Sequence, residues 1–398
     1  MDITKIRQEF PVLSENGIYF DNACQSLRPQ SVIDAVTEYY REYSACAGRS
    51  NHHLAAKVTQ KCDNARTRIA KFLHAKRKEE IVFTRNTTEG INLVANTLNL
   101  KEGDVVLTSD KEHNSNLIPW QMLHNKVGIV HRIVRSREDN TFDLDAYKQA
   151  LGNGVKLVSL GMTSNLDGVT IPTAEIVRLA HQHGALVLFD AAQAAPHQVI
   201  DVRKLDVDFL AFSGHKMLGP SGTGVLYGRH ELLEKLPPFL VGGDTVSSST
   251  YDSCEFLPPP EKFEAGLQDY AGIIGLGEAV SYLERIGSAQ IQKQEYTLNS
   301  YITEELQKIP NLVILGPSDP KERSGIISFY IPGKDHHQIA LMLDASSKIM
   351  VRSGQHCVHS WFADRKIPGS VRASVYFYNT LEEAELFLKE LRKVVSIL

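Results

Sequence analysis

The chain has 398 residues, about two to three domains by length, so it can bury a large core and hold a cleft between domains. A formal net charge of −4 and a sequence pI near 6.4 leave no basic footprint for nucleic acid, and no apolar run reaches the ~18 residues of a membrane helix. The charged start, Met1-Asp-Ile-Thr-Lys-Ile-Arg-Gln-Glu9, has no secretory character, and Cys24, Cys46, Cys62, Cys254 and Cys357 lack C-x-x-C spacing, so a soluble cytoplasmic protein with free thiols is expected.

From residue 80 to 230 short apolar runs alternate with amphipathic segments, which is the α/β pattern. Strands are predicted at 80–84, 104–108, 128–134, 155–161, 185–189, 209–213 and 224–227, and helices at 89–98 and 174–183. Gly184 suits the left-handed position that stops the second helix. Several strands are polar only at their C-terminal ends. Such strands form a mostly parallel sheet covered on both faces, with ligands at the C-terminal edge. After about residue 255 the pattern loosens at Pro258-Pro-Pro260, and long helices over 270–308 open a second, smaller domain. Its last helix starts at the capping box Thr380-Leu-Glu-Glu383, with Ala384, Leu388, Leu391 and Val395 on one face.

Ser213-Gly-His-Lys216 follows one of these strands and precedes the glycine-rich run 219–224. A lysine there, with a hydroxyl and an imidazole close by, can hold an aldehyde cofactor and still be displaced by an incoming amine. Asp190 ends an apolar strand, where its carboxylate suits a pyridinium N–H; it also suits a helix N-cap. Asn86-Thr-Thr-Glu-Gly90 lies between strand and helix, an anion site in which Thr87 or Thr88 is equally a plain cap. His113, after another strand end, can stack on a ring and shuttle protons, or sit as a surface histidine. In Arg352-Ser-Gly-Gln-His-Cys357-Val-His359 a thiol lies among imidazoles and near a guanidinium, a setting that favours the nucleophilic thiolate. Gly354 and the polar flanks predict a mobile, exposed loop there. No second pair with metal-ligand spacing accompanies it, so no metal is assigned.

Together these residues resemble the cysteine desulfurases of the SufS and CsdA type, within the class V aminotransferase group of pyridoxal-phosphate enzymes. The likeness runs end to end through Tyr19-Phe-Asp-Asn-Ala23, Asn86-Thr-Thr-Glu-Gly90, Glu112-His113, Ser164-Asn165, Asp190-Ala-Ala-Gln193, Ser213-Gly-His-Lys216, Phe263-Glu-Ala-Gly266, Arg352 to Cys357 and Arg372-Ala-Ser374. It implies a fold type I transferase: a large domain (25–283) with a mostly parallel seven-stranded sheet, and a smaller α+β domain from 1–24 and 284–398. It implies Lys216 as the Schiff-base lysine, Asp190 on the pyridine nitrogen, His113 on the ring face and Gln193 on the phenolic oxygen. Thr88, Ser213 and His215 would hold the phosphate, beside Thr87. Arg372, Asn165 and Arg352 would meet the substrate L-cysteine, and Cys357 would collect its sulfur as a persulfide. Arg49 and His52 resemble residues lent by the second subunit of a homodimer, and a sulfur-accepting protein, as in iron–sulfur cluster assembly, is implied as partner.

Leu267 stands where relatives usually carry a threonine that reaches the phosphate of the other subunit. That loss would cost about 1.5 to 3 kcal/mol unless replaced. Gln355, often histidine in relatives, is a second departure. Selenocysteine lysis, epimerisation and transamination are rival reactions of the same scaffold, and a non-catalytic sulfur-relay partner is a rival of another class.

Overall fold

The computed structural model describes every residue except Glu15. Seven strands form the central sheet: β1 (Ile81–Thr84), β2 (Val105–Ser109), β3 (Val130–Val134), β4 (Val155–Gly161), β5 (Leu186–Asp190), β6 (Phe209–Ser213) and β7 (Gly224–Gly228). Their spatial order is β1-β7-β6-β5-β4-β2-β3. Only β7 runs against the other six, pairing antiparallel with both β1 and β6. These are the seven predicted strands, in the mostly parallel sheet expected of them.

The burial patterns explain the near-continuous apolar runs. Both faces of the sheet are covered, one by a core that includes Phe189, Leu210 and Phe212, the other by a core that includes Val106, Leu188 and Phe209. The crossover helix Thr173–Gln182 buries Ile176, Val177, Leu179 and Ala180 and ends before Gly184, whose φ of +71° is the left-handed stop expected there. Helix Thr87–Thr97 begins two residues earlier than predicted, capped by Asn86 rather than by either threonine: its side chain accepts from Glu89 N at 3.0 Å. Gly224 is required where β7 crosses this cap, because a Cβ there would lie 2.6 Å from Asn86 Cα.

The C-terminal part holds a second sheet of four strands, β8 (Val313–Leu315), β9 (Ile326–Tyr330), β10 (Arg352–Gly354) and β11 (Ser370–Ser374), ordered β8-β9-β11-β10 and all antiparallel. It packs with helices Ser288–Leu306 and Leu381–Ile397 around its own core. The capping box at Thr380 and Glu383 is formed; Ala384, Leu388 and Leu391 are buried and Val395 half-buried. The N-terminal strand Ile18–Tyr19 pairs in parallel with Ile349–Met350, so the two ends of the chain meet. Among the described residues no helix is long and apolar enough to cross a membrane.

Candidate active site

Every large-sheet strand that approaches the cavity does so by the same edge. β1 to β6 end on that edge, β3 through Val134, and the antiparallel β7 begins on it. The cavity, about 250 Å³, is closed on the other side by β10, β11 and the loop after β10. Lys216, Asp190, Gln193, Ser213, His215, His113, Thr87, Thr88, Asn165, Arg352, Arg372 and Cys357 all line it. Residues scattered from Thr87 to Arg372 are thus one site. Arg49 and His52 are not part of it in this chain: Arg49 pairs with Asp244, and His52 caps helix His53–Phe72 by accepting from Ala55 N at 3.3 Å. Leu267 is 65% exposed and also lies away from the cavity.

Lys216 sits in the single turn Gly214–Lys216 that follows β6, and the N-terminal segment clamps that turn. Ser26 N donates to the His215 carbonyl at 3.0 Å, Leu218 N donates to Ser26 Oγ at 2.8 Å, and Arg28 Nε donates to the Gly219 carbonyl at 3.0 Å. The Lys216 amine itself makes no hydrogen bond to the described residues. Burial lowers its pKa, against the pull of Asp190, and so favours the neutral, nucleophilic amine. Asp190 is the last residue of β5 and caps no helix; its carboxylate accepts only from Ala192 N, at 2.9 Å, and burial raises its pKa against the pull of Lys216.

Thr87 N and Thr87 Oγ1 both contact Ser213 Oγ, at 2.9 and 2.6 Å, joining the helix start to the end of β6. Ser115, which sequence reasoning passed over, links Thr88 to His113: its hydroxyl is 2.7 Å from Thr88 Oγ1 and 3.0 Å from His113 Nδ1. Ser115 N also donates to His113 Nδ1, at 3.1 Å, which leaves the ring's proton on Nε2. Burial first, then Lys216, pushes the His113 pKa down to about 3, so the ring is neutral. Glu112 beside it is buried, accepting from Ser109 Oγ, Asn116 Nδ2 and Gly161 N.

The Cys357 loop is not the exposed segment expected. His356 is 4% exposed, Val358 is buried and Cys357 half-buried. The polar residues that suggested exposure bond inside the fold, although His356 Nδ1 is buried without a partner: His356 Nε2 is 2.8 Å from Ser370 Oγ, Val358 N donates to the Gln355 carbonyl at 2.8 Å, and Gln355 Nε2 donates to the Pro368 carbonyl at 3.2 Å. Asn114 N donates to the Cys357 carbonyl at 2.8 Å, and Asn165 Nδ2 to the His356 carbonyl at 2.7 Å. Both His356 and Cys357 take left-handed backbone, at φ +49° and +60°. Arg372 donates from Nη1 to the Asn165 carbonyl at 2.9 Å and from Nη2 to Asp21 at 3.3 Å.

These residues fit pyridoxal phosphate. Gln193 Oε1 and Arg372 Nε are buried without a partner, and the unbonded Lys216 amine faces the same cavity. Such groups call for a polar ligand with phosphate, oxygen and carboxylate contacts. Among the described residues no cluster of His, Cys, Asp or Glu is arranged to hold a metal ion.

A family model for class-V aminotransferases matches residues 18–387. The chain belongs to the class-V aminotransferase family. Within that family it is 42% identical to a probable cysteine desulfurase from Synechocystis, over 98% of this chain and 95% of the relative. An apo structure of cysteine desulfurase from Thermococcus onnurineus is 40% identical, with a TM-score of 0.95 over 99% of this chain and 98% of that one. The Escherichia coli cysteine desulfurase CsdA, solved in an S-sulfonic acid form, is 32% identical with a TM-score of 0.93, covering 100% and 99% of the two chains. The large sheet and the cavity at its edge are therefore those of a class-V aminotransferase.

Proposed function

We propose that this chain is a pyridoxal-phosphate cysteine desulfurase that converts L-cysteine to L-alanine and collects the sulfur on Cys357 as a persulfide. The observation that carries this reading is the presence of Cys357 in the same cavity as the Lys216 and Asp190 pair. An enzyme working only at Cα has no use for a thiol there.

When bound, pyridoxal phosphate supplies an aldehyde for the substrate amine and a ring that takes up charge from Cα. Asp190 would hold the ring nitrogen's proton, His113 would cover the ring face and Gln193 would meet the phenolic oxygen. Thr87, Thr88, Ser213 and His215 would hold the phosphate. Lys216 Nζ, whose pKa burial lowers, accepts the Cα proton and later returns it. The Arg372 and Arg352 guanidinia orient the substrate carboxylate. The Cys357 sulfur attacks the substrate sulfur; the carbon–sulfur bond breaks, its electron pair staying on the alanine portion, and a sulfur–sulfur bond forms on Cys357.

A two-domain division goes with this reading, with 25–283 as the large domain and 1–24 with 284–398 as the small one. The pairing of Ile18–Tyr19 with Ile349–Met350 supports it. A cytoplasmic homodimer that passes sulfur to an acceptor protein, as in iron–sulfur cluster assembly, with Arg49 and His52 serving the partner's site, belongs to the same proposal.

The test is incubation with L-cysteine, followed by intact-mass measurement and alanine determination. Wild type should gain sulfur at Cys357 and release alanine, while Cys357→Ala should keep its cofactor and gain none. Sulfur release at the wild-type rate from Cys357→Ala would defeat the assignment.

A further inference from the structure

Of the five cysteines, Cys24 joins Cys357 in lining the cavity, and the reaction leaves it without a task. It lies immediately after the Tyr19-Phe-Asp-Asn-Ala23 motif and is held firmly. Cys24 N donates to the Asp21 carbonyl at 3.1 Å, and Ala23 N donates to Ser374 Oγ at 2.9 Å. Its sulfur accepts from Arg352 Nη1 at 2.9 Å. Among the described residues this is the one hydrogen bond that the Arg352 side chain makes.

Arg352 needs such a partner. It is the register partner of Arg372 across β10 and β11, so two guanidinia project from neighbouring strands on one face of the sheet. Arg372 is fixed by Asp21 and the Asn165 carbonyl. Arg352 has no comparable anchor, and its long side chain, repelled by a like charge, would otherwise swing toward water. A guanidinium has five N–H donors, so giving one to sulfur leaves four for a bound carboxylate. Arg372 Nε, buried and unpartnered in the same cavity, is a further donor for it.

We infer that Cys24 is a positioning residue that holds the Arg352 guanidinium ready for the substrate carboxylate and so sets the enzyme's affinity for its amino-acid substrate. This rests on the desulfurase reading above. A group ordered before binding does not have to be ordered during it, and the gain belongs to ground state and transition state alike. The effect therefore falls on KM rather than kcat.

The experiment compares holoenzyme of wild type, Cys24→Ala and Cys24→Ser with L-cysteine as substrate. Loss of the acceptor in Cys24→Ala should raise KM roughly threefold to tenfold with kcat within about twofold, and Cys24→Ser, which restores an acceptor, should recover part of that rise. Cysteamine keeps the amine and thiol of the substrate but lacks the carboxylate. Its binding, followed by the change in cofactor absorbance, should be the same in all three proteins. An unmoved KM in Cys24→Ala, or a parallel loss of cysteamine binding, overturns the inference. Wild-type enzyme that forms no alanine from L-cysteine overturns instead the reading on which it rests.

Discussion

The Asn165 side-chain amide donates to the His356 carbonyl at 2.7 Å, while the Asn165 carbonyl accepts from Arg372. One residue thus ties Arg372, proposed to meet the substrate carboxylate, to the loop that carries Cys357, the proposed nucleophile. Asn165→Ala removes the first bond and spares the second, because the backbone carbonyl survives. A hydrogen bond worth about 1 to 1.5 kcal/mol should slow sulfur loading of Cys357 by roughly fivefold to tenfold. Timed intact-mass measurements check this, with cofactor absorbance expected to stay unchanged. Loading at the wild-type rate would show that the loop holds itself.

Lys216 should be the point of covalent cofactor attachment. After borohydride reduction the wild-type protein should gain the mass of the reduced cofactor, and Lys216→Ala should gain none. Asp190→Ala should still gain it, with weaker cofactor retention on dialysis. A Lys216→Ala protein that still acquires the mass would move the attachment to another lysine.

Burial holds three histidines of the cavity region neutral, with His113, His215 and His356 pushed down to about 3, about 4 and about 2. Each takes a proton below about pH 6.5 in the unfolded chain but not in the folded one, so their contribution to stability falls as pH falls from there. Glu112 opposes them. Burial raises it to about 7, so the folded state keeps a proton that the unfolded chain loses above its ordinary value near 4.5. Asp21, Asp190 and Glu295, also raised by burial, act with Glu112, while His131 and His336, also lowered, act with the three cavity histidines, whose own part of the stability falls as the solution is acidified. In urea unfolding His356→Asn should make that fall shallower, by up to about 1.4 kcal/mol per pH unit. An identical slope in the variant would refute the assignment of His356.

The Phe263-Glu-Ala-Gly266 motif has a structural use. Glu264 takes a bidentate pair from Arg66 at 2.7 Å and also accepts from Phe83 N at 2.7 Å, joining this segment to β1. The pair is buried, so Glu264→Ala leaves the Arg66 charge uncompensated, with only the Ile81 carbonyl at 2.6 Å to accept from it, and the Phe83 amide unpaired, and should destabilise the fold by about 3 to 5 kcal/mol. Denaturant unfolding measures it; a change below about 1 kcal/mol would mean that water or another residue replaces the carboxylate.

The seven strands were legible because a sheet covered on both faces leaves near-continuous apolar runs. Their order and the reversal of β7 were not, since pairing partners such as Phe83 and Val225 are distant in sequence. Part of the cavity could be read because Asp190 and Ser213 end strands and Thr87, His113 and Lys216 follow strand ends at one sheet edge. Asn86 was passed over because adjacent Asn and Thr residues compete as caps, and only the backbone decides between them. Cys24 was passed over because its contact with Arg352 spans 328 positions. The burial of the Cys357 loop was hidden by polar residues that bond to one another rather than to water.

His356 and Cys357 share left-handed backbone, with their carbonyls held by Asn165 and Asn114. Two consecutive non-glycine residues so constrained make a short, stiff tether. On the proposed reading, a sulfur atom carried on Cys357 would travel only as far as rotation about the Cα–Cβ and Cβ–Sγ bonds takes it. On the desulfurase reading proposed above, a protein that collects this sulfur would have to bring a pliant arm of its own to the cavity mouth, supplying the reach that this loop lacks.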